Sequence, residues 1–170
     1  MYRLTLSIKF KSSKMQIKII PFQLKHANAF KKLNLNWLDR YFYVEEKDKE
    51  LLEKCKESII DIGGYIFLAE ADNKIVGCFS LIPFGSNIFE LGKMAVDPNF
   101  QGYKIGQQLL TFAIDFARQQ NWKAIVLYSS TKLDTALHVY RKYGFKEVEL
   151  EKEVPYARSD IKMELNLVNT

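Results

Sequence analysis

The sequence predicts a mixed α/β fold, one mixed sheet carrying helices on both faces. Three observations predict it. Apolar spacing switches between period 2 and helical period along the chain, in the order strand, two helices, three strands, helix, strand, helix, two strands. The three consecutive strands are joined by short turns and form a meander, whereas the next strand is reached through a helix, as a crossover requires. All eight glycines lie between Gly63 and Gly144, so the first third reads as helical and the middle as strands, turns and a close-approach loop.

Each element follows from local pattern. Residues 16–21 alternate and stop at Pro21, a strand. Residues 23–38 place Leu24, Ala27, Phe30, Leu33, Leu35 and Leu38 near helical spacing. Residues 47–60 form a second, charged helix with Leu51, Leu52 and Cys55 on its apolar side. Residues 65–71 and 75–82 are strands joined by an Asp72-Asn73 turn, and a Ser86-Asn87 turn leads to a third strand over 89–96, stopped by Asp97-Pro98. Over residues 103–120, Ile105, Leu109, Phe112, Ala113, Phe116 and Ala117 make one apolar helical face. Residues 124–128 are apolar throughout, as a buried central strand is. Leu133, Ala136, Leu137 and Tyr140 mark a helix over 132–143, with Gly144 just past its end. Residues 145–150 and 160–167 alternate as two closing strands.

Composition narrows the function classes. The chain of 170 residues is 48% hydrophobic and 26% charged, the balance of a protein that buries a core. No apolar run approaches the ~20 residues of a membrane-spanning helix. Two cysteines, Cys55 and Cys78, and two histidines, His26 and His138, make neither a disulfide scaffold nor a metal cluster. The net charge of +5 is concentrated at the start: Arg3, Lys9, Lys11 and Lys14 lie in residues 1–14, which have no acid, leaving +1 for residues 15–170. A broad nucleic-acid face is therefore not expected. Residues 1–14 lack the apolar core of a signal peptide and read as an extension or arm ahead of one domain over 15–170, with Met15 a candidate start. A cytoplasmic location is the expectation.

The chemistry concentrates in residues 94–110, MAVDPNFQGYKIGQQLL. A strand ends at Asp97-Pro98 and a short loop runs directly into a helix. Backbone N–H groups at a helix start lack intrahelical partners and sit at the positive end of its dipole. Gly102 and Gly106 leave room for a ligand against that backbone, which suits a pyrophosphate. The segment is neither a Walker A loop nor a G-x-G-x-x-G fingerprint.

This segment resembles motif A of the GNAT acetyltransferase superfamily, Gln/Arg-x-x-Gly-x-Gly/Ala after a strand ending in Val-x-Pro. Val96, Pro98, Gln101, Gly102, Ile105 and Gly106 carry the match; Lys104 stands where the family most often has glycine. Residues 136–145, ALHVYRKYGF, are similar to the family's second motif, and the order of elements agrees from residue 16 to 167. The resemblance implies a splayed, mostly antiparallel sheet with acetyl-coenzyme A between the 90–96 and 124–128 strands. Backbone groups of Met94, Ala95 and Val96 would pair with the pantetheine arm. Gln101 and the N–H groups of Gly102, Tyr103, Lys104, Ile105, Gly106 and Gln107 would hold the pyrophosphate. Ser130 stands where many members carry a cofactor-touching asparagine; it equally suits a helix cap.

Acetyl transfer to an amine needs a base for the ammonium, an acid for the departing thiolate, and a donor for the oxyanion. The resemblance assigns the acid to Tyr140 and the base to Glu90, and a strand N–H near Met94 would serve as the oxyanion donor. Tyr140 also suits a core position and Glu90 an edge charge. The acceptor site is expected from the 37–48 connection, WLDRYFYVEEKD, with Trp37, Tyr41 and Glu45 as candidates that either line the pocket or merely anchor and solvate the connection. The 156–159 stretch closes the other side. The function implied is an acetyl-CoA-dependent N-acetyltransferase acting on a small-molecule or protein amine by direct attack, without metal, nucleic acid or membrane, and with a homodimer as the common assembly. The alternative is a non-catalytic acyl-CoA sensor of the same fold; a nucleic-acid binder would rest on residues 1–14 alone.

Overall fold

The computed structural model describes residues 15–168. The extension expected over residues 1–14 lies outside the described residues. The strands are β1 (Ile17–Pro21), β2 (Tyr65–Ala71), β3 (Lys74–Gly85), β4 (Ile88–Val96), β5 (Ala124–Ser129), β6 (Lys146–Val148) and β7 (Ile161–Asn166). The helices are α1 (Ala27–Tyr41), α2 (Glu46–Glu53), α3 (Ile105–Gln119) and α4 (Asp134–Lys142). One sheet runs in the order β1-β2-β3-β4-β5-β7-β6, antiparallel except for the parallel pair β4–β5. The mixed, mostly antiparallel sheet is the one expected.

Two helices differ from their sequence reading. The first begins as a 3-10 turn at Leu24–His26 and runs on to Tyr41. The second does not run through residues 47–60: α2 ends at Glu53, and a π turn follows over Lys56–Ile60. The wider turn keeps Ile59 over the same core that Leu51, Leu52 and Cys55 fill.

Apolar burial places a core on each face of the sheet. On one face α3 covers Phe67, Phe79 and Leu81 with Leu109, Ala113 and Ile114. Phe89 stacks on Trp122 there at 3.6 Å between ring centroids, beneath the point where β4 and β5 meet. On the other face α1 and α2 bury Phe30, Leu38, Leu51 and Leu52 against Leu68 and Cys78. Among the described residues no helix is long and apolar enough to cross a membrane.

Two departures from a regular sheet create the site. First, β4 and β5 pair only over Ile88–Glu90 and Ala124–Val126, and then part. The rest of β4 therefore has one free edge. Second, β4 carries a bulge. Gly92 lies opposite Ser80 and Ala95 opposite Cys78, so β4 spends one extra residue there. The bulge reverses side-chain parity. Phe89 and Leu91 face the α3 core, and so do Met94 and Val96, whereas Ala95 joins the opposite core. Lys93, at φ +50°, takes the left-handed conformation that makes this switch. Two carbonyls beside the bulge find side-chain donors: Ser80 Oγ donates to Gly92 O at 3.1 Å and Cys78 Sγ to Lys93 O at 3.4 Å.

Candidate active site

The parted strands open a cleft along β4. Met94, Ala95 and Val96 line one wall, while Ser130 and Tyr140 line the other. Gln101 and Gly106 close one end and Trp37, Tyr41 and Arg158 the opposite end. The cleft thus connects the loop, strand and connection that the sequence singled out separately.

At the loop end, Asp97 Oδ1 accepts the Asn99 N–H at 3.0 Å and starts a 3-10 turn over Pro98–Phe100. Gly102, at φ +88° with open space where a Cβ would stand, then turns the chain. The Gln108 N–H donates to Lys104 O at 3.0 Å, so the N–H groups of Ile105, Gly106 and Gln107 precede the first helical bond. Those donors and the α3 dipole suit an anion. The Ile105 side chain is buried in the core, Lys104 and Gln107 line a shallow groove outside the cleft, and Tyr103 is exposed. What these residues offer the cleft is therefore their backbone.

In the middle of the cleft are Glu90 and Tyr140. Glu90 is only 8% exposed, not an edge charge, and burial pushes its carboxyl up, partly offset by Lys47 and Lys93. Tyr140 reaches the cleft from α4, and burial pushes its phenol up to about 12. Among the described residues neither side chain has a hydrogen-bond partner, so both are free to meet a ligand. His138 is exposed.

Beyond Glu90 lies a cluster that sequence reasoning missed. Asp48 is wholly buried and accepts four bonds: from Lys93 Nζ at 2.6 Å, from Arg158 Nη1 and Nη2 at 2.6 and 2.9 Å, and from the Glu45 N–H at 3.0 Å. Burial works to raise its pKa, but Arg158 and Lys93 outweigh it and hold the carboxyl low. Burial lowers the pKa of Lys93, with Asp48 opposing. Lys93 Nζ also donates to the Tyr156 hydroxyl at 3.2 Å.

Trp37 and Tyr41 line the cleft with ring centroids 5.4 Å apart. Glu45 is differently occupied: its carboxylate accepts from Arg158 at 2.8 Å and from the Ala157 N–H at 2.8 Å, outside the cleft lining. It has no charge to spare for an ammonium. Ser130 Oγ accepts the Lys132 N–H at 3.3 Å, a turn-capping role, while also lining the cleft. Two local signals pointed to the cluster. Asp48 stands three residues after Glu45, at capping-box spacing, and Lys93 interrupts an apolar strand on the parity of Phe89 and Leu91.

Residues 32–145 match the model of the acetyltransferase (GNAT) family. The chain belongs to the GNAT family. The GNAT relatives include the mycothiol acetyltransferase of Saccharomonospora viridis, 31% identical over 118 residues that cover 65% of this chain and 38% of that protein. The chain spans about half or less of the first curated relatives it matches. A GNAT acetyltransferase structure from Staphylococcus aureus superposes with a TM-score of 0.80 at 26% identity, covering 90% of this chain and 100% of that one. One from Elizabethkingia anophelis, with acetyl-CoA bound, gives 0.67 at 25% identity over 89% and 98%.

The GNAT loop here departs from the family pattern at one residue, and its backbone shows why glycine is usual there. Lys104 sits at φ 55°, ψ 33°, a left-handed conformation that costs a side-chain-bearing residue about 1–2 kcal/mol. Lys104→Gly should therefore stabilise the fold. The extra freedom of glycine in the unfolded chain offsets part of the gain, leaving roughly 0.5–1 kcal/mol. Urea denaturation measures it, and a loss of stability would contradict the strain.

Proposed function

We propose that this GNAT chain is an acetyl-CoA-dependent N-acetyltransferase that acetylates a primary amine by direct attack in a ternary complex. The observation that carries the reading is the parting of β4 and β5 at Glu90. It exposes the free edge of β4, the loop donors and two unpartnered proton-transfer groups to one cleft.

The residues present fit acetyl-CoA. The β4 edge at Met94, Ala95 and Val96 has backbone groups available for pairing with an extended chain, as an added strand would pair. Gly102 leaves open space, and the nearest atom to a Cβ at Gly106 is 4.0 Å away, so a pyrophosphate can approach the N–H groups of residues 102–107. Acetyl-CoA supplies the activated acyl thioester.

The chain supplies position and proton transfer. Glu90, raised by burial, is a stronger base than a free carboxylate and accepts a proton from the amine, directly or through water. Tyr140 stays protonated at neutral pH and can donate at the leaving sulfur. Beyond the bulge, the free-edge N–H near Met94 is the candidate oxyanion donor. Trp37, Tyr41 and Phe42 form an aromatic wall for the acceptor, with Trp37 5.6 Å from Phe42 between centroids.

Thermal stabilisation by acetyl-CoA, followed by thiol release across a panel of amines, tests the reading. Stabilisation with release supports transfer. Stabilisation without release from any amine indicates a non-catalytic acyl-CoA module. No stabilisation overturns the cofactor assignment. Glu90→Gln should lower kcat about 10²-fold at neutral pH. It should also move the rise of the pH–rate profile toward the amine's own pKa, near ~10. An unaltered profile would remove Glu90 from proton transfer.

A further inference from the structure

The acceptor end of the cleft holds cations with unused hydrogen-bond donors. Arg158 and Lys93 are buried, with side chains 12% and 5% exposed, and both line the cleft. Cations are held in such places only when paired. Asp48 and Glu45 pair them but do not exhaust them. Arg158 spends two Nη1 protons and one Nη2 proton on these acids, which leaves its Nε–H and the second Nη2 proton. Lys93 spends two of its three protons, on Asp48 and Tyr156. The remaining donors have no protein acceptor among the described residues.

The Tyr156 ring gathers the positive charge. Arg158 and Lys93 each lie 4.5 Å from its centroid and Lys47 lies 5.7 Å away. Three cations therefore surround one ring, against the two carboxylates of Asp48 and Glu45. Glu90 is the remaining acid lining the cleft, and no cation holds it in a hydrogen bond among the described residues. A polyamine would find Glu90 alone unpaired and would bring its other ammonium groups against Arg158, Lys93 and Lys47. A carboxylate would meet unused donors on cations already desolvated, where a charge-assisted bond is strong.

Resting on the transfer reading above, we infer that the acceptor is an amino acid or short peptide whose carboxylate is bound by Arg158 and Lys93. Its amine then faces Glu90, which precedes Lys93 by three residues across the bulge. Its apolar body lies against Trp37 and Phe42. The bulge is what makes the two ends compatible, since it turns Lys93 onto the Glu90 side of β4.

The test is thiol release from acetyl-CoA with the natural amino acids, their carboxamides and spermidine. The expected result is kcat/KM higher for an acid than for its amide by at least about tenfold, the worth of one charged hydrogen bond. Arg158→Gln should lower that ratio severalfold, with Lys93 keeping the remainder. The ratio is read on a single protein sample, so it cancels any loss of folded enzyme when Asp48 loses its partner. Equal turnover of acids and amides, preferred turnover of spermidine, or an unchanged ratio in Arg158→Gln overturns the inference while leaving acetyl transfer intact. Stabilisation by acetyl-CoA with no thiol release from any of these amines overturns the transfer reading and this inference with it.

Discussion

Asp48→Asn should destabilise the protein by about 3–5 kcal/mol, the cost of breaking a buried ion pair by removing one partner. Such a loss is comparable to the whole stability of a marginal domain. The carboxylate is fully buried and accepts four hydrogen bonds, three of them from Lys93 and Arg158. An asparagine keeps the size but removes the charge and replaces one acceptor oxygen with a donor. Arg158 would then keep only Glu45, and Lys93 would keep no carboxylate partner. Urea denaturation at pH 7 measures the loss, and one below about 1 kcal/mol would mean the cluster is solvated.

The same carboxylate makes the effect depend on pH. Its folded-state pKa is depressed below the ordinary 3.8, so its stabilisation is fully present above that value. It is lost as the pH falls through the folded-state pKa. The difference between wild type and Asp48→Asn should therefore narrow in acid and hold constant from about pH 5 upward.

Tyr140→Phe carries the largest expected effect on rate. It should lower kcat about 10²-fold or more, the usual contribution of a positioned acid. The KM for acetyl-CoA should change little, because the loop donors and the β4 edge are untouched. The ring lies 5.8 Å from Phe145 between centroids, and phenylalanine preserves that packing, so stability should hold. The hydroxyl has no protein partner among the described residues, and its removal leaves no buried group unsatisfied. Unchanged kcat would remove Tyr140 from the chemistry and make it a packing residue.

Much of this was legible in the sequence because it is local. The apolar run Tyr65–Ala71, the turn pair Asp72-Asn73 and the apolar stripe from Ile105 to Ala117 involve neighbours a few residues apart. Those elements appear close to where pattern placed them. Gly102 and Gly106 signalled a loop open to a ligand for the same reason. The break after Glu53 was not legible, since Leu51, Leu52, Cys55 and Ile59 also fit one continuous apolar stripe. Only the core beneath them selects the wider turn.

The pairing within the charged cluster lay beyond local reading for a different reason. Lys93 and Arg158 meet Asp48 from 45 and 110 residues away in the chain. Glu45 read as either a pocket acid or a solvated one because its partner lies 113 residues distant. The bulge at Lys93 was likewise hidden. Strand alternation assumes a constant parity, and the single positive φ that reverses it is stabilised by contacts to Asp48, Tyr156, Cys78 and Ser80. Apolar periodicity and turn chemistry, acting over one or two turns of chain, determined the elements, their order and the loop that precedes α3. Burial of charge and the parting of β4 from β5 depend on groups that only folding brings together. The tertiary structure alone therefore decided which acids remain free and which cations face the cleft.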